Sequence, residues 1–484
     1  MNINRRDFLA GGALMAAAGA TGQVSAKAAP AATPENPHAG PDGRPYVVGE
    51  PCLQAPAETS MGVCWAVSHL TNGWVEYGLK ADLSDAKTSI CEGAPGITGF
   101  DEYSVRVRLT DLKPATKYYY RAVSQQIFYK DNYNRGYGEK IEGAVHSFET
   151  LGASQRAHFC VINDTHAQWK PFKMVIDKVK ELGPVAVVWN GDASNLTEKP
   201  QTGVQIFLKP KDSENFATDI PYLWVDGNHD FRGIWNRYLD RLVMTRLPTE
   251  RSTRDWALTR NFAVRLGDIA MIGLDTGEDK PDCHPQFHGL VASEAYRVAQ
   301  TAWLADALER PDIKSAPFAV AFLHIPIFDA DPTSHPGDIT DNGGGKYRSD
   351  FAYWQKQCRD LWAPLLEKHG VQLVVAAHQH RYRYDAPTAD RSWAQIVGGG
   401  PELGIAGHGK NVRPDDGRFP TVVEGKVEGG KLVVTVHDVF KKQVAGKFEY
   451  APRKNGCSCC DRPHPARGRR RRTSKFGRSK WHRM

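Results

Sequence analysis

The chain has no run of about 20 consecutive apolar residues, the length needed to cross a bilayer. Its one weakly apolar stretch near the start, Ala10 to Ala20, is short and rich in Gly and Ala. A multi-span membrane protein is thereby excluded. Cysteine is scarce too: Cys52, Cys64, Cys91, Cys160, Cys283, Cys358, Cys457, Cys459 and Cys460 are too few to staple 484 residues and too irregularly spaced for a zinc ribbon. Their odd number leaves at least one thiol unpaired or intermolecular, while Cys52, Cys64 and Cys91 lie close enough in sequence for two of them to bridge. No internal repeat is found. The triple-glycine runs Gly343–Gly345 and Gly398–Gly400 lack the strand-to-helix setting of a phosphate loop and read as flexible connections. What is present, 41% hydrophobic and 24% charged residues, excludes wholesale disorder and leaves room for two to four globular domains.

Excess charge is missing from the body as well. The net +7 is concentrated in Arg453–Met484, with twelve Lys/Arg and one Asp, so residues 27–452 carry a net −5. That basic stretch, with Arg469–Arg472 and few apolar residues, predicts a disordered tail over 452–484 and no specific nucleic-acid partner, although a basic arm binds phosphate-rich partners nonspecifically. At the other end come Asn4-Arg5-Arg6-Asp7-Phe8-Leu9, the weakly apolar run, and Val24-Ser25-Ala26. This series resembles a twin-arginine export signal over residues 1–26. The resemblance implies a bacterial protein that meets the twin-arginine export machinery already folded, with its cofactor inserted. It would be released to the periplasm or secreted, with no membrane span in the mature chain.

Residues 27–44, rich in Pro, Ala and Gly, read as a linker. From 45 to 150 short alternating segments such as Gly62-Val63-Cys64-Trp65-Ala66-Val67 and Tyr103-Ser104-Val105-Arg106-Val107-Arg108-Leu109 predict an antiparallel sandwich. The stretch Leu112-Lys113-Pro114-Ala115-Thr116-Lys117-Tyr118-Tyr119-Tyr120 is similar to the fibronectin type III pattern, in which the first tyrosine closes a corner through its hydroxyl. Tyr118 and Trp65 are then core residues. From 151 to 451 apolar runs alternate with helical patterns, as in a βαβ sheet buried on both faces. Expected strands are His158–Ile162, Val185–Trp189, Pro221–Val225, Ile269–Leu274, Phe318–Leu323 and Val371–Ala376, and expected helices Phe172–Leu182, Ser293–Glu309 and Tyr353–His369, the last bent at Pro364. Thr421–Glu424 and Lys431–His437 are expected to finish a second sheet.

Ligands of open α/β sheets bind at the carboxyl ends of strands, and five of these six strands end in metal-type donors. Asn163-Asp164-Thr165-His166 follows the first, Gly191-Asp192 the second, Gly227-Asn228-His229-Asp230 the third, His324 in Leu323-His324-Ile325-Pro326 the fifth, and His378-Gln379-His380 the sixth. Singly, each is an ordinary turn or cap residue; Asp275 after the fourth strand is one such. Together on one edge, carboxylate, amide and imidazole donors suit Zn, Mn or Fe rather than calcium or a thiolate site. The series closely resembles the calcineurin-like metallophosphoesterase superfamily over roughly 156–402, and with the sandwich in front it looks most like the purple acid phosphatase branch. The resemblance implies an α/β metallophosphoesterase fold, a two-sheet α/β sandwich, preceded by an all-β fibronectin type III-like sandwich.

By the same resemblance Asp164, His166 and His380 hold one metal ion and Asn228, His324 and His378 a second, with Asp192 bridging them. The cofactor is thus two divalent or mixed-valence ions, Fe, Mn or Zn, about 3.5–4 Å apart, that activate a water for in-line attack on a small phosphoester. His229 would protonate the leaving oxygen or hydrogen-bond the transition state. Two departures narrow the branch. Asn195 stands where purple enzymes carry an iron-bound tyrosine, and Asn195-Leu196 lacks the Asp-Arg pair of phosphoprotein phosphatases, which puts purple colour and protein phosphatase activity in doubt. Asn195, Arg232 and His335 are candidate substrate contacts, and His284 and His288 belong to a candidate lid loop. The leading expectation is an exported dinuclear phosphatase. A phosphodiesterase acting on nucleotides or lipid headgroups and a non-catalytic binding protein on the same fold are the alternatives.

Overall fold

Side-chain alternation within the short apolar runs sets the layers. In His158–Ile162, Phe159 and Val161 point to one side and Cys160 and Ile162 to the other, and Ala186–Asn190 and Tyr222–Val225 repeat the pattern. The structure, a computed structural model, describes residues 42–453 except 92, 94–95, 132, 210–214, 246, 248–257, 329–338, 341–345, 348–349 and 402–416. The expected leader, most of the linker, His335, Gly343–Gly345 and residues 454–484 lie outside the described residues.

One sheet has nine strands in the order Gln443–Tyr450, Lys431–Asp438, Thr421–Glu428, His158–Ile162, Ala186–Asn190, Tyr222–Val225, Cys52–Gln54, Met61–Ala66 and Ser104–Leu109. The other has six: Phe262–Leu266, Ile269–Leu274, Phe318–Leu323, Leu373–Ala376, Ala394–Val397 and Arg383–Asp385. Phe159, Val161, Val188 and Leu223 of the first pack against Met271, Val320, Phe322 and Val375 of the second, forming the central core. The helix Trp169–Leu182 covers the outer face of the first sheet through Phe172, Val175, Ile176 and Val179. Ser293–Glu309 and Asp350–Lys368, which runs through Pro364, cover the second through Trp303, Leu304, Trp362 and Leu366. Among the described residues no helix is long and apolar enough to cross a membrane.

Two expectations need correction. Thr421–Glu428 pairs antiparallel with His158–Ile162, Val423 opposite Val161, so the late strands complete the first sheet instead of the second. Both faces of these strands are apolar, Val423 facing the central core and Val422 the outer layer, and such a pattern does not say which sheet they join. The tail does not begin cleanly at 452 either. Arg453 is nearly buried, its guanidinium donating to the carbonyls of Ala316 at 2.7 Å and His369 at 3.1 Å.

The N-terminal sandwich shares its first layer with the large sheet, because Gln54 pairs in parallel with Tyr222. Its second layer runs Lys87–Ile90, Thr71–Gly78, Lys117–Tyr129 and Arg135–Glu142, with His146–Glu149 also on Lys117–Tyr129. Trp65 is fully buried between the layers and donates from Nε1 to Ser124 Oγ at 2.8 Å. The Lys113 N–H donates to Tyr118 Oη at 2.9 Å, closing the corner. Cys52 and Cys64 are cross-strand partners, yet no disulfide forms among the described cysteines.

Candidate metal centre

Each donor turns off a strand end, and five do so in a backbone conformation that side chains rarely adopt. Asp164, His166, Asp192, His378 and His380 have φ between 45° and 67° and make up five of the twelve non-glycine residues with positive φ among those described. Such strain costs of order 1–3 kcal/mol per residue and persists where surrounding structure enforces it, typically at functional sites. Gly191 enforces part of it: a Cβ there would lie 2.6 Å from His324 Nδ1, at a φ of 79°.

The turns converge on one cradle. Asp164, His166, Asp192 and His380 bring ligand atoms within 4.8 Å of one another, and so do Asp192, His324 and His378. Asp192 belongs to both groups. Its Oδ2 lies 3.3 Å from His324 Nε2 and 3.5 Å from His166 Nε2. His166 Nε2 and His380 Nε2 face each other at 2.9 Å, and Asn228 Oδ1 meets His378 Nδ1 at 2.8 Å. The buried Asp164 Oδ1, Asn228 Nδ2 and His324 Nε2 have no hydrogen-bond partner. Unsatisfied polar atoms of this kind are rare in a folded interior, and a donor set of carboxylate, imidazole and amide oxygen around them fits a borderline metal ion.

Neighbouring backbone and side chains orient the donors. His324 Nδ1 donates to the Asn190 carbonyl at 2.8 Å, which turns Nε2 into the cradle. Asp164 Oδ2 accepts from Asn163 Nδ2 at 2.7 Å and the His378 N–H at 3.0 Å. Asp192 Oδ1 accepts the His229 N–H at 2.9 Å, while Asp230 Oδ2 accepts the N–H groups of Asp192 and Gly227. Burial opposes ionisation of Asp164 and Asp192, but the imidazoles prevail: His380 and His324 hold Asp164 well below its usual range, and His324 brings Asp192 to about 2. In return Asp192 and Asp164 raise His324 to about 9 against its burial. Without an ion, His324 therefore carries a proton below about pH 9, and ligation must expel it. Metal affinity of the metal-free protein is expected to climb with pH until about 9, with a proton released on uptake. Calorimetry in buffers of differing ionisation enthalpy measures that proton directly.

His229 stands beside the cradle, its ring perpendicular to that of His166 with centroids 5.0 Å apart. Burial lowers its pKa below the ordinary histidine value, outweighing Asp192. Its Nδ1 donates to the Asn195 backbone carbonyl at 2.9 Å, and its Nε2 accepts from Arg232 Nη1 at 3.1 Å. The residue at position 195 thus orients His229 through its main chain, and its side-chain amide has no part in that bond; residue 195 is exposed. Arg232 is met by Glu278 Oε1 and Oε2, both at 3.0 Å, and by Asp279 Oδ1 at 2.9 Å. The glycines read as a flexible run are buried instead. Gly399 O accepts from Asn163 Nδ2 at 2.9 Å, and any Cβ on Gly398 would collide with the Asn163 side chain. His284 Nδ1 caps its own turn at the Gln286 N–H, and neither it nor His288 belongs to the cradle.

Sequence reasoning missed Asn163, Asp230, Glu278 and Asp279. The first two lie inside the quoted motifs, whereas the last two have no local signal. A larger cleft of about 590 Å³ between Asp42, His69, Tyr103 and Gln205 shares no residue with the cradle.

The model of the calcineurin-like phosphoesterase family matches residues 157–382, and that of the purple acid phosphatase N-terminal domain matches 52–150. Among solved structures, the chain is similar to the purple acid phosphatase PPD1 from yellow lupin (Lupinus luteus) seeds, at 15% identity and a TM-score of 0.57, covering 87% of this chain and 78% of that one. It is similar also to PhoD, at 13% identity and a TM-score of 0.53, covering 84% and 90%. At these identities the likeness is one of fold.

Proposed function

We propose that the chain is a metal-dependent phosphoesterase of the calcineurin-like type behind a purple acid phosphatase N-terminal domain, exported and hydrolysing small phosphoesters with two metal ions. The observation that carries this reading is Asp192, a single carboxylate common to two groups of donors. Asp164, His166 and His380 would hold one ion, Asn228, His324 and His378 the other, with Asp192 between them. When bound, such a pair supplies an acidified water for in-line attack and neutralises charge on the phosphoryl oxygens. His229, fixed through the Asn195 carbonyl, stands where it can hydrogen-bond or protonate the leaving oxygen. Asp230 in turn fixes the Asp192 turn by accepting its N–H at 2.8 Å.

The twin-arginine-like start supports export to the periplasm or medium after folding and metal insertion, with residues 1–26 as leader, 27–44 as linker, 45–150 and 151–451 as the two folded parts and the residues after Arg453 as tail. One observation favours diesters as a second reading. The charge of Arg232, the arginine beside His229, is met by Glu278 and Asp279, which leaves less to bind the second negative charge of a monoester. Turnover of an aryl phosphate monoester and the matching diester, before and after chelation, tests both readings. Activity abolished by chelator and restored by Mn, Zn or Fe is the expected result, and the preferred ester decides between them. Absence of turnover of either ester with metal present would overturn the proposal.

A further inference from the structure

We infer that the cleft lined by Arg232 is a leaving-group pocket, and that it takes a flat, largely apolar organic group bearing a further negative charge. The inference rests on the phosphoester reading above and names the substrate class for that site. Arg232 is the residue the two share: its Nη1 donates to His229 Nε2 at 3.1 Å, and it also lines the cleft. The cleft measures about 380 Å³, within the usual size of a small-molecule site. Phe231, Phe287, Leu290 and Val291 supply its apolar lining, and Leu290 is 71% exposed at this surface.

The charges sort themselves. Arg232 is neutralised by Glu278 and Asp279. The side chain of Arg237, which also lines the cleft, makes no hydrogen bond or ion pair with another described residue. It is the cation left for a ligand, and guanidinium groups pair well with carboxylate, sulfonate or phosphate oxygens. A phosphoester whose leaving oxygen faces His229 would extend its organic part past Arg232, over the apolar lining and toward Arg237.

The test compares kcat/KM of the metal-loaded full chain for phenyl phosphate, 2-naphthyl phosphate and 6-sulfonato-2-naphthyl phosphate, whose leaving groups are similarly acidic. The naphthyl ester is expected to exceed the phenyl ester by about tenfold, from the extra apolar area buried, and the sulfonated ester to exceed both. Val291→Trp, which fills the cleft, should collapse the naphthyl-to-phenyl ratio. Leu290→Ala, at a side chain too exposed to matter for folding, should lower that ratio in part. Arg237→Gln should erase the advantage of the sulfonate alone. Equal values for all three esters, or ratios unmoved by the variants, would overturn the pocket while leaving the phosphoesterase reading intact. Failure of the metal-loaded chain to turn over any ester would overturn both.

Discussion

Asp192→Asn is expected to strip the centre of metal and to lower kcat/KM about 1,000-fold or more, a loss of roughly 4 kcal/mol of transition-state stabilisation. The substitution isolates charge from shape. Residue 192 has a φ of 52°, and asparagine tolerates the left-handed region better than most residues, so the turn should survive. An amide oxygen in place of Oδ1 can still accept the His229 N–H. What disappears is the negative oxygen 3.3 Å from His324 and 3.5 Å from His166, replaced by an N–H₂ donor that cannot ligate an ion. Metal analysis of the purified variant reads the first effect and steady-state kinetics the second. The metal-free variant adds a third: having lost the carboxylate that most raises His324, it should show a lower His324 pKa by imidazole NMR titration. A variant with full metal content and full turnover would remove Asp192 from the bridging position.

The donors were legible in the sequence for a physical reason. A buried strand reads as an unbroken apolar run, so its carboxyl end can be located within a residue or two, and Asp164, Asp192, Asn228, His324 and His378 all stand within three residues of such an end. Less legible is what holds those donors in place. His324 and His229 are oriented by the main-chain carbonyls of Asn190 and Asn195, and any residue supplies a carbonyl, so no side-chain identity announces them. Glu278 reaches Arg232 across 46 positions and Asn163 reaches Gly399 across 236, separations that no local pattern encodes. The same limit hid the joint between the two folded parts. Cys52–Gln54 is a three-residue strand whose register partner Tyr222 lies far along the chain, and alternation over three residues specifies neither a sheet nor an edge.

His229→Asn should separate chemistry from metal binding, with the metal content kept and kcat reduced by about 100- to 10,000-fold, the range of a lost general acid or base. The side chain of His229 is absent from both donor groups, and its tie to Asp192 runs through its backbone N–H, which the substitution preserves. The ring is held at Nδ1 by Asn195 O and at Nε2 by Arg232 Nη1, so a leaving oxygen meets Nε2 only by displacing that arginine contact, with the imidazole then protonated at both nitrogens. Asparagine is too short to place a donor at that point. The size of the loss should also depend on the ester. An alkyl phosphate, whose leaving alkoxide needs a proton, should lose far more rate than a 4-nitrophenyl ester, whose phenolate leaves unaided. An equal loss on both esters would assign His229 to hydrogen-bonding the phosphoryl group in the transition state rather than to protonating the leaving group. Loss of metal would instead make the imidazole a ligand and reassign the centre, because the backbone contact to Asp192 alone could not account for it.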